Sequence, residues 1–286
     1  MDELISYSIE EIKDKLENGE FPFSGTTKSG LAEFHFEKPA CYAGVALHAG
    51  HKVREEVLPL LALSEKERFR DEDPYTDRFI GNFPIRVVAR DSRFEYDLNR
   101  DRHRCIYERY VKKWKLKVWE EMPGEEARKI SCEKYDEFYR LIDVLSGFLA
   151  KQNKHAVIFD MHSFCYQREK KITWQDDHRP EINIGTKAAN RELFHQVISK
   201  ITEGLSKTSI GGKNIRVAEN EIFYGGSLSR RVSRNFFNQI LVLSLEYKKI
   251  FMDELTGELY LGILDSLASD FRESVKRLFS TNFMSD

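Results

Sequence analysis

Four stretches of the chain end in residues that can do metal and acid–base chemistry. "VALHAGH" (45–51) runs an apolar segment into His48 and, past Ala-Gly, His51. "FEYDLNR" ends in Asp97, Asn99 and Arg100, "VIFDMHS" delivers Asp160 and His162, and "LVLSLE" ends in Glu246. Two neutral imidazoles and a carboxylate hold a catalytic Zn²⁺ and leave one position open for water. Such a metal lowers the pKa of that water toward about 7 and polarises a carbonyl. Glu246 can take the water's proton and pass it to a leaving nitrogen. Arg100 can fork onto a substrate carboxylate, and Asn99 can add an amide contact. The expected reaction is hydrolysis of an amide in a small molecule that carries a free carboxylate.

Such residues need elements that bring them to one place. "YAGVALH" (42–48) and "HAVIFDMH" (155–162) are continuous apolar runs, as strands covered on both faces are. "FPIRVVAR", "RFEYDLNR", "EINIGT", "NIRVAEN" and "NQILVLSLEY" read as further strands. Helices are expected over 7–19, 131–152, 190–204 and 257–279, where apolar residues keep the helical period. Strands alternating with helices predict a three-layer α/β/α fold with a mixed, mostly buried central sheet. In open sheets of this kind ligands bind outside the carboxyl ends of the strands, where these polar residues fall. Residues 1–40, with a surface helix and a "GTTKSG" hairpin, read as an extension ahead of a single α/β domain over 41–286. The basic run "RYVKKWKLKVW" alternates charged with apolar residues and reads as a half-exposed strand. Trp174 and "QDDHRP" read as a polar loop, either a lid or simply exposed.

Read together, "LHAGH", "DEDPYTDRF", "DLNRDR", "FDMHSF", "ENEIFYGGSLSR" and "LSLEYKKIFMDELTG" occur in an order that resembles the N-formylglutamate amidohydrolase family, itself similar to zinc carboxypeptidases and aspartoacylases. The resemblance runs from about residue 42 to 255. It implies a carboxypeptidase-like hydrolase fold, amidohydrolase activity and one divalent metal, zinc being the first expectation. His48 and His162 match the metal-binding histidines and Glu246 the general base. Asn99 and Arg100 match substrate-carboxylate binders. Asp97, with Asp160 beside His162, matches carboxylates that orient a metal histidine. Gly225 and Gly226 match a loop that lets backbone approach substrate. Carboxypeptidases place a glutamate three residues after the first histidine, and here that residue is His51. The carboxylate ligand is therefore expected from Asp77, with Asp73, Glu72 and His51 as alternatives. Ser244, Lys248 and Lys249 also depart from the family's pattern around Glu246.

Each residue has a plainer reading as well. A strand-end histidine can be a satisfied core residue, Asp77 can cap a helix, and Asp-x-Asn-Arg can be a turn. Glu246 can pair with Lys248. A binding protein that kept the pocket without turnover is the alternative to a hydrolase, and a carboxypeptidase-type peptidase is a further variant. Lys+Arg of 45 against Asp+Glu of 47 gives a net charge of −2, which argues against a broad nucleic-acid footprint. No apolar run approaches the roughly 18–20 residues of a membrane span. Four scattered cysteines without a Cys-x-x-Cys pair, and an acidic amphipathic start, suggest reduced thiols in a cytoplasmic protein. No Gly-x-Ser-x-Gly or phosphate-binding Gly-x-x-x-x-Gly-Lys occurs.

Overall fold

The continuous apolar runs become the middle of one sheet. The computed structural model describes residues 4–167 and 172–280. Its main sheet contains β1 (Ser6–Tyr7), β2 (Phe23–Thr27), β3 (Ala32–Phe36), β4 (Tyr42–Ala46), β5 (Ile85–Ala89), β6 (Ala156–Phe164), β7 (Ile182–Gly185), β8 (Val217–Glu219) and β9 (Ile240–Lys248). The spatial order is β1-β2-β3-β5-β4-β6-β9-β7-β8. The four central strands β5, β4, β6 and β9 run parallel, while β3 and β7 pair antiparallel at either side. Every residue of β6 and β9 is buried, which is why neither shows polar alternation in sequence.

Helices cover both faces, giving the expected three layers. Helices α1 (Ile9–Asn18), α3 (Glu125–Gln152) and α5 (Ser227–Phe236) share one apolar layer with the sheet. Helices α4 (His195–Leu205) and α6 (Leu261–Ser280) share the other, and the short α2 (Glu65–Asp71) precedes the site. Side chains alternate along a strand, so each face can be followed residue by residue. On β6, Val157, Phe159 and Met161 face α4 and α6, whereas Ala156 and Ile158 face the α1, α3 and α5 layer. Asp160 and His162 continue that second row. On β9, Ile240 and Val242 lead in the same way to Ser244 and Glu246. One face of the sheet is thus apolar at its amino end and polar at its carboxyl end.

The structure departs from the sequence expectations in places. "RFEYDLNR" is a run of turns, not a strand. The Asp97 carboxylate accepts a hydrogen bond from Asn99 N at 2.8 Å, and Arg100 N donates to Asp97 O at 3.2 Å, the local bonding that Asp and Asn offer against sheet pairing. "RYVKKWKLKVW" folds as a small antiparallel ribbon, Tyr110–Val111 against Leu116–Lys117. It covers a satellite core that includes Phe94, Tyr107 and Trp119. The N-terminal hairpin pairs through β3 with β5 and so widens the sheet. Helix α1 begins after Ser8, whose hydroxyl and Glu11 form a capping box. Among the described residues no helix is long and apolar enough to cross a membrane.

Candidate metal centre and active site

His48 lies two residues past the end of β4 and is buried. The glycine that follows is required by its surroundings. A Cβ on Gly50 would lie 2.2 Å from the Arg90 carbonyl carbon, because residues 50–52 run against the end of β5. Lys52 N donates to Arg90 O at 2.9 Å and Ser92 N to Lys52 O at 2.6 Å. This close track fixes the strand end and turns His51 aside. The Nδ1 of His51 contacts Glu72, and its Nε2 lies 3.6 Å from Glu65. His51 and Glu72, two of the alternative ligands, therefore engage each other and do not join His48.

Asp73 is the carboxylate that the structure places beside His48 and His162. Its N–H donates to His48 O at 3.0 Å, and Thr76 Oγ1 donates to its carbonyl at 2.7 Å. Buried Lys249 secures the approach to it, donating from Nζ to Arg70 O at 2.7 Å and Glu72 O at 2.6 Å. Asp73 Oδ2 then lies 3.3 Å from His48 Nδ1 and 3.1 Å from His162 Nδ1. One ligand atom from each of the three residues lies within 4.8 Å of the others, and all three are buried. Asp77, the expected carboxylate, sits in the 3₁₀ turn Thr76–Ile80 and is not in this group. The chain turns after Asp73 through Pro74 and a left-handed Tyr75, so it is the earlier aspartate that reaches the rings.

Carboxylates back the far side of both imidazoles. His48 Nε2 lies 2.7 Å from Asp97 Oδ1. His162 Nε2 lies 3.0 Å from Asp160 Oδ1, in ion-pair contact though not aligned as a hydrogen bond. Ser244 Oγ donates to the other Asp160 oxygen at 3.1 Å, which gives this departure from the family's pattern a place in the site. Asp97 also binds Arg93 at 2.9 Å and the Tyr107 hydroxyl.

Charge is concentrated and buried here. Burial opposes ionisation of Asp73, yet the hydrogen bonds with His162 and His48 hold its carboxyl far below the usual carboxylate range. Burial likewise opposes a charged His162, but Asp160 and Glu246 raise its pKa well above the ordinary imidazole value. Burial of Asp97 is outweighed by Arg93 and His48, which keep it ionised. Glu246 goes the other way. Burial pushes it up to about 7, with His162 pulling down and Asp73 and Asp160 adding to the rise.

His48, Asp73, His162 and Glu246 open into a cavity of about 580 Å³, lined also by Asn99 and Arg93. Arg100 stands beside that wall. Its guanidinium lies 4.2 Å from the Tyr107 ring centroid and 5.8 Å from that of cavity-lining Trp114, with Nε 3.6 Å from Asp97. The close approach that Gly226 permits is to Asn99, whose Oδ1 a Cβ would overlap at 1.6 Å. Asn99 Oδ1 accepts from Ser227 N at 2.8 Å and so ties the start of α5 to the Asp97 turn. Gly225, at φ 107°, belongs to the same tight junction.

Sequence reasoning passed over Arg93, Asn183 and the structural use of Lys248 and Lys249. Lys248 is fully buried and donates to Arg179 O at 2.6 Å, Asp177 O at 3.1 Å and Glu181 Oε1 at 2.8 Å. It thereby pins the polar loop around "QDDHRP", whose Asp176, Asp177, His178 and Arg179 line the cavity. The available signal was two lysines closing a strand that is otherwise apolar, because a lysine there must carry its ammonium to buried acceptors.

The model of the N-formylglutamate amidohydrolase family matches residues 45–251. Among solved structures, an N-formylglutamate amidohydrolase from Ralstonia eutropha JMP134 is 13% identical, with 86% of this chain and 97% of that one covered and a TM-score of 0.65. A gene product of Agrobacterium tumefaciens is 16% identical, with 83% and 91% covered and a TM-score of 0.58. At these identities the likeness is one of fold. No curated protein matches the chain in sequence.

Proposed function

The chain belongs to the N-formylglutamate amidohydrolase family, and from that premise we propose that it hydrolyses the amide of a small N-acyl amino acid with a free carboxylate, using one divalent metal between His48, Asp73 and His162. The observation that carries this reading is that two Nδ1 atoms face one carboxylate oxygen. With His48 Nε2 bonded to Asp97 and His162 Nε2 in contact with Asp160, both Nδ1 lone pairs confront the Asp73 anion. That arrangement is repulsive unless a proton or a cation sits between. A metal ion competes with a proton for that place. Two imidazoles and a carboxylate, each imidazole backed by a further carboxylate, form the donor set of catalytic zinc sites. A divalent cation bound there supplies Lewis acidity toward a substrate carbonyl.

The chain's own residues supply the rest. Glu246, a carboxylate poised near neutrality, takes a proton from the attacking water and returns it to the leaving nitrogen. Arg93 lines the cavity beside Asp97 and faces the negative charge that develops on the carbonyl oxygen. Arg100, stacked on Tyr107, anchors the substrate carboxylate, and Asn99 shapes the adjoining wall. The test is metal analysis of the purified chain together with a panel of N-formyl and N-acetyl amino acids. The expected result is about one metal per chain and turnover of panel members. A chain that takes up no zinc and cleaves none of them rejects the reading.

A further inference from the structure

We propose that the substrate of this site carries an apolar or aromatic side chain, received by a subsite of Phe164, Ile222 and Phe223. The proposal rests on the amidohydrolase reading above and replaces the acidic side chain of a glutamate derivative with a neutral one.

The placement comes from the strands. Phe164 follows His162 by two residues on the same face of β6, about 7 Å further along at the usual rise per residue. That is the reach of an amino-acid side chain from the scissile amide. The Phe223 ring lies 5.4 Å from the Phe164 ring, tilted by 52°, and both residues line the cavity with Ile222.

This wall is fixed in advance by one buried residue. Asn183 is fully buried and shares a rung with Glu246 across the β7–β9 pairing. Its Oδ1 accepts from the backbone N–H of Ile222 at 2.9 Å, of Glu221 at 3.1 Å and of Phe223 at 3.4 Å. Its Nδ2 donates to Phe223 O at 2.8 Å. The loop is thus held in a set position relative to the base before any ligand arrives, and a preformed apolar wall binds without an ordering cost.

Charge points the same way. A second substrate carboxylate needs a cation, and among the described residues the cations lining the cavity are already engaged. Arg179 lies 5.6 Å over the Phe164 ring, where a guanidinium covers an aromatic face, and donates to Asp177 and to the carbonyls of Cys165 and Tyr166. Lys249 holds the Arg70 and Glu72 carbonyls, and Arg93 holds Asp97. The cavity lining also includes the carboxylates of Asp176 and Asp177. Burying an uncompensated carboxylate there is unfavourable. The cavity of about 580 Å³ also falls in the range that encloses drug-sized ligands, roughly 300–1,000 Å³, and so has room for a bulky side chain beyond a formyl group.

The experiment compares kcat/KM of the zinc-loaded chain for N-formyl-L-phenylalanine, N-formyl-L-leucine and N-formyl-L-glutamate. The first two should exceed the third by about tenfold or more, the scale of apolar-pocket discrimination. Phe223→Ala should remove most of that advantage by lowering kcat/KM for the phenylalanine and leucine compounds more than for the glutamate compound. Equal or better turnover of N-formyl-L-glutamate overturns the subsite while leaving the amidohydrolase reading intact. Should none of the three be hydrolysed, that reading loses its support, and calorimetric binding of the same compounds still decides the subsite. Tighter binding of the phenylalanine compound than of the glutamate compound sustains it, and equal or absent binding overturns it.

Discussion

Glu246 and His162 occupy the same rung of adjacent parallel strands, with both side chains on the face that opens into the cavity. The proposed base and the proposed metal-binding imidazole are therefore held by backbone pairing, with no loop between them to drift. Glu246→Gln keeps the shape and cannot accept a proton. It should lower kcat by at least about 10²-fold while bound metal is retained. Near-wild-type kcat would remove Glu246 from the mechanism.

The same carboxylate sets the pH dependence. A base works only when ionised, so the rate should rise with pH through the pKa of Glu246. Burial pushes that value up to about 7. A dication beside Asp73 adds positive charge nearby and lowers it, so the ascending limb of kcat/KM in the loaded enzyme should lie below pH 7. A limb that persists unchanged in Glu246→Gln would belong to another group.

Metal binding separates Asp73 from Asp77. His162→Ala and Asp73→Asn should lose the metal, whereas Asp77→Asn should keep it, as read by metal content after gel filtration. Asp97→Asn should weaken metal affinity by about 10–100-fold, the usual effect of disturbing a carboxylate behind a ligating imidazole. Full metal occupancy in His162→Ala would dismiss the site altogether.

Much of this arrangement is legible in the sequence because period two carries it. Asp160 and His162 share a strand face by spacing alone, and Glu246 closes a strand whose apolar run marks it as central. The choice of Asp73 over Asp77 was not legible. It depends on a backbone hydrogen bond to His48 and on the turn through Pro74 and Tyr75, neither of which has a sequence period. Asp97 to Arg100 was read as a strand end, yet the plainer expectation, a turn, is what forms. The turn itself aims the carboxylate at His48. The roles of Lys248, Lys249 and Asn183 depend on which distant carbonyls and amides the tertiary fold brings to them.

Lys248 offers a stability test apart from chemistry. It is fully buried against Glu181 and Asp177, and its removal leaves Glu181 without its cation while Asp177 keeps only Arg179. Lys248→Met should destabilise the fold by about 3–5 kcal/mol, the cost of breaking a buried ion pair from one side. Thermal unfolding measures this directly. A Tm equal to wild type would show that the loop at Trp174–Arg179 does not depend on that anchor.

Arg100 is the residue proposed to read the substrate carboxylate. Its guanidinium is stacked on Tyr107 and close to Trp114, with Nε toward Asp97. A planar guanidinium can stack on a ring and still present a fork to a carboxylate, which an ammonium cannot do with the same geometry. A free carboxylate near the scissile amide should therefore be required. Amidating or esterifying it should raise the barrier in kcat/KM by about 1.5–3 kcal/mol, the worth of a charge-assisted hydrogen bond. Arg100→Lys should show most of that loss with the free acid. It should show little further loss with the amidated compound, because the interaction is already gone. Paired assays of free and amidated substrates with both proteins give the four rates needed. If the two losses add in full, Arg100 shapes the fold around Tyr107 and does not hold the carboxylate.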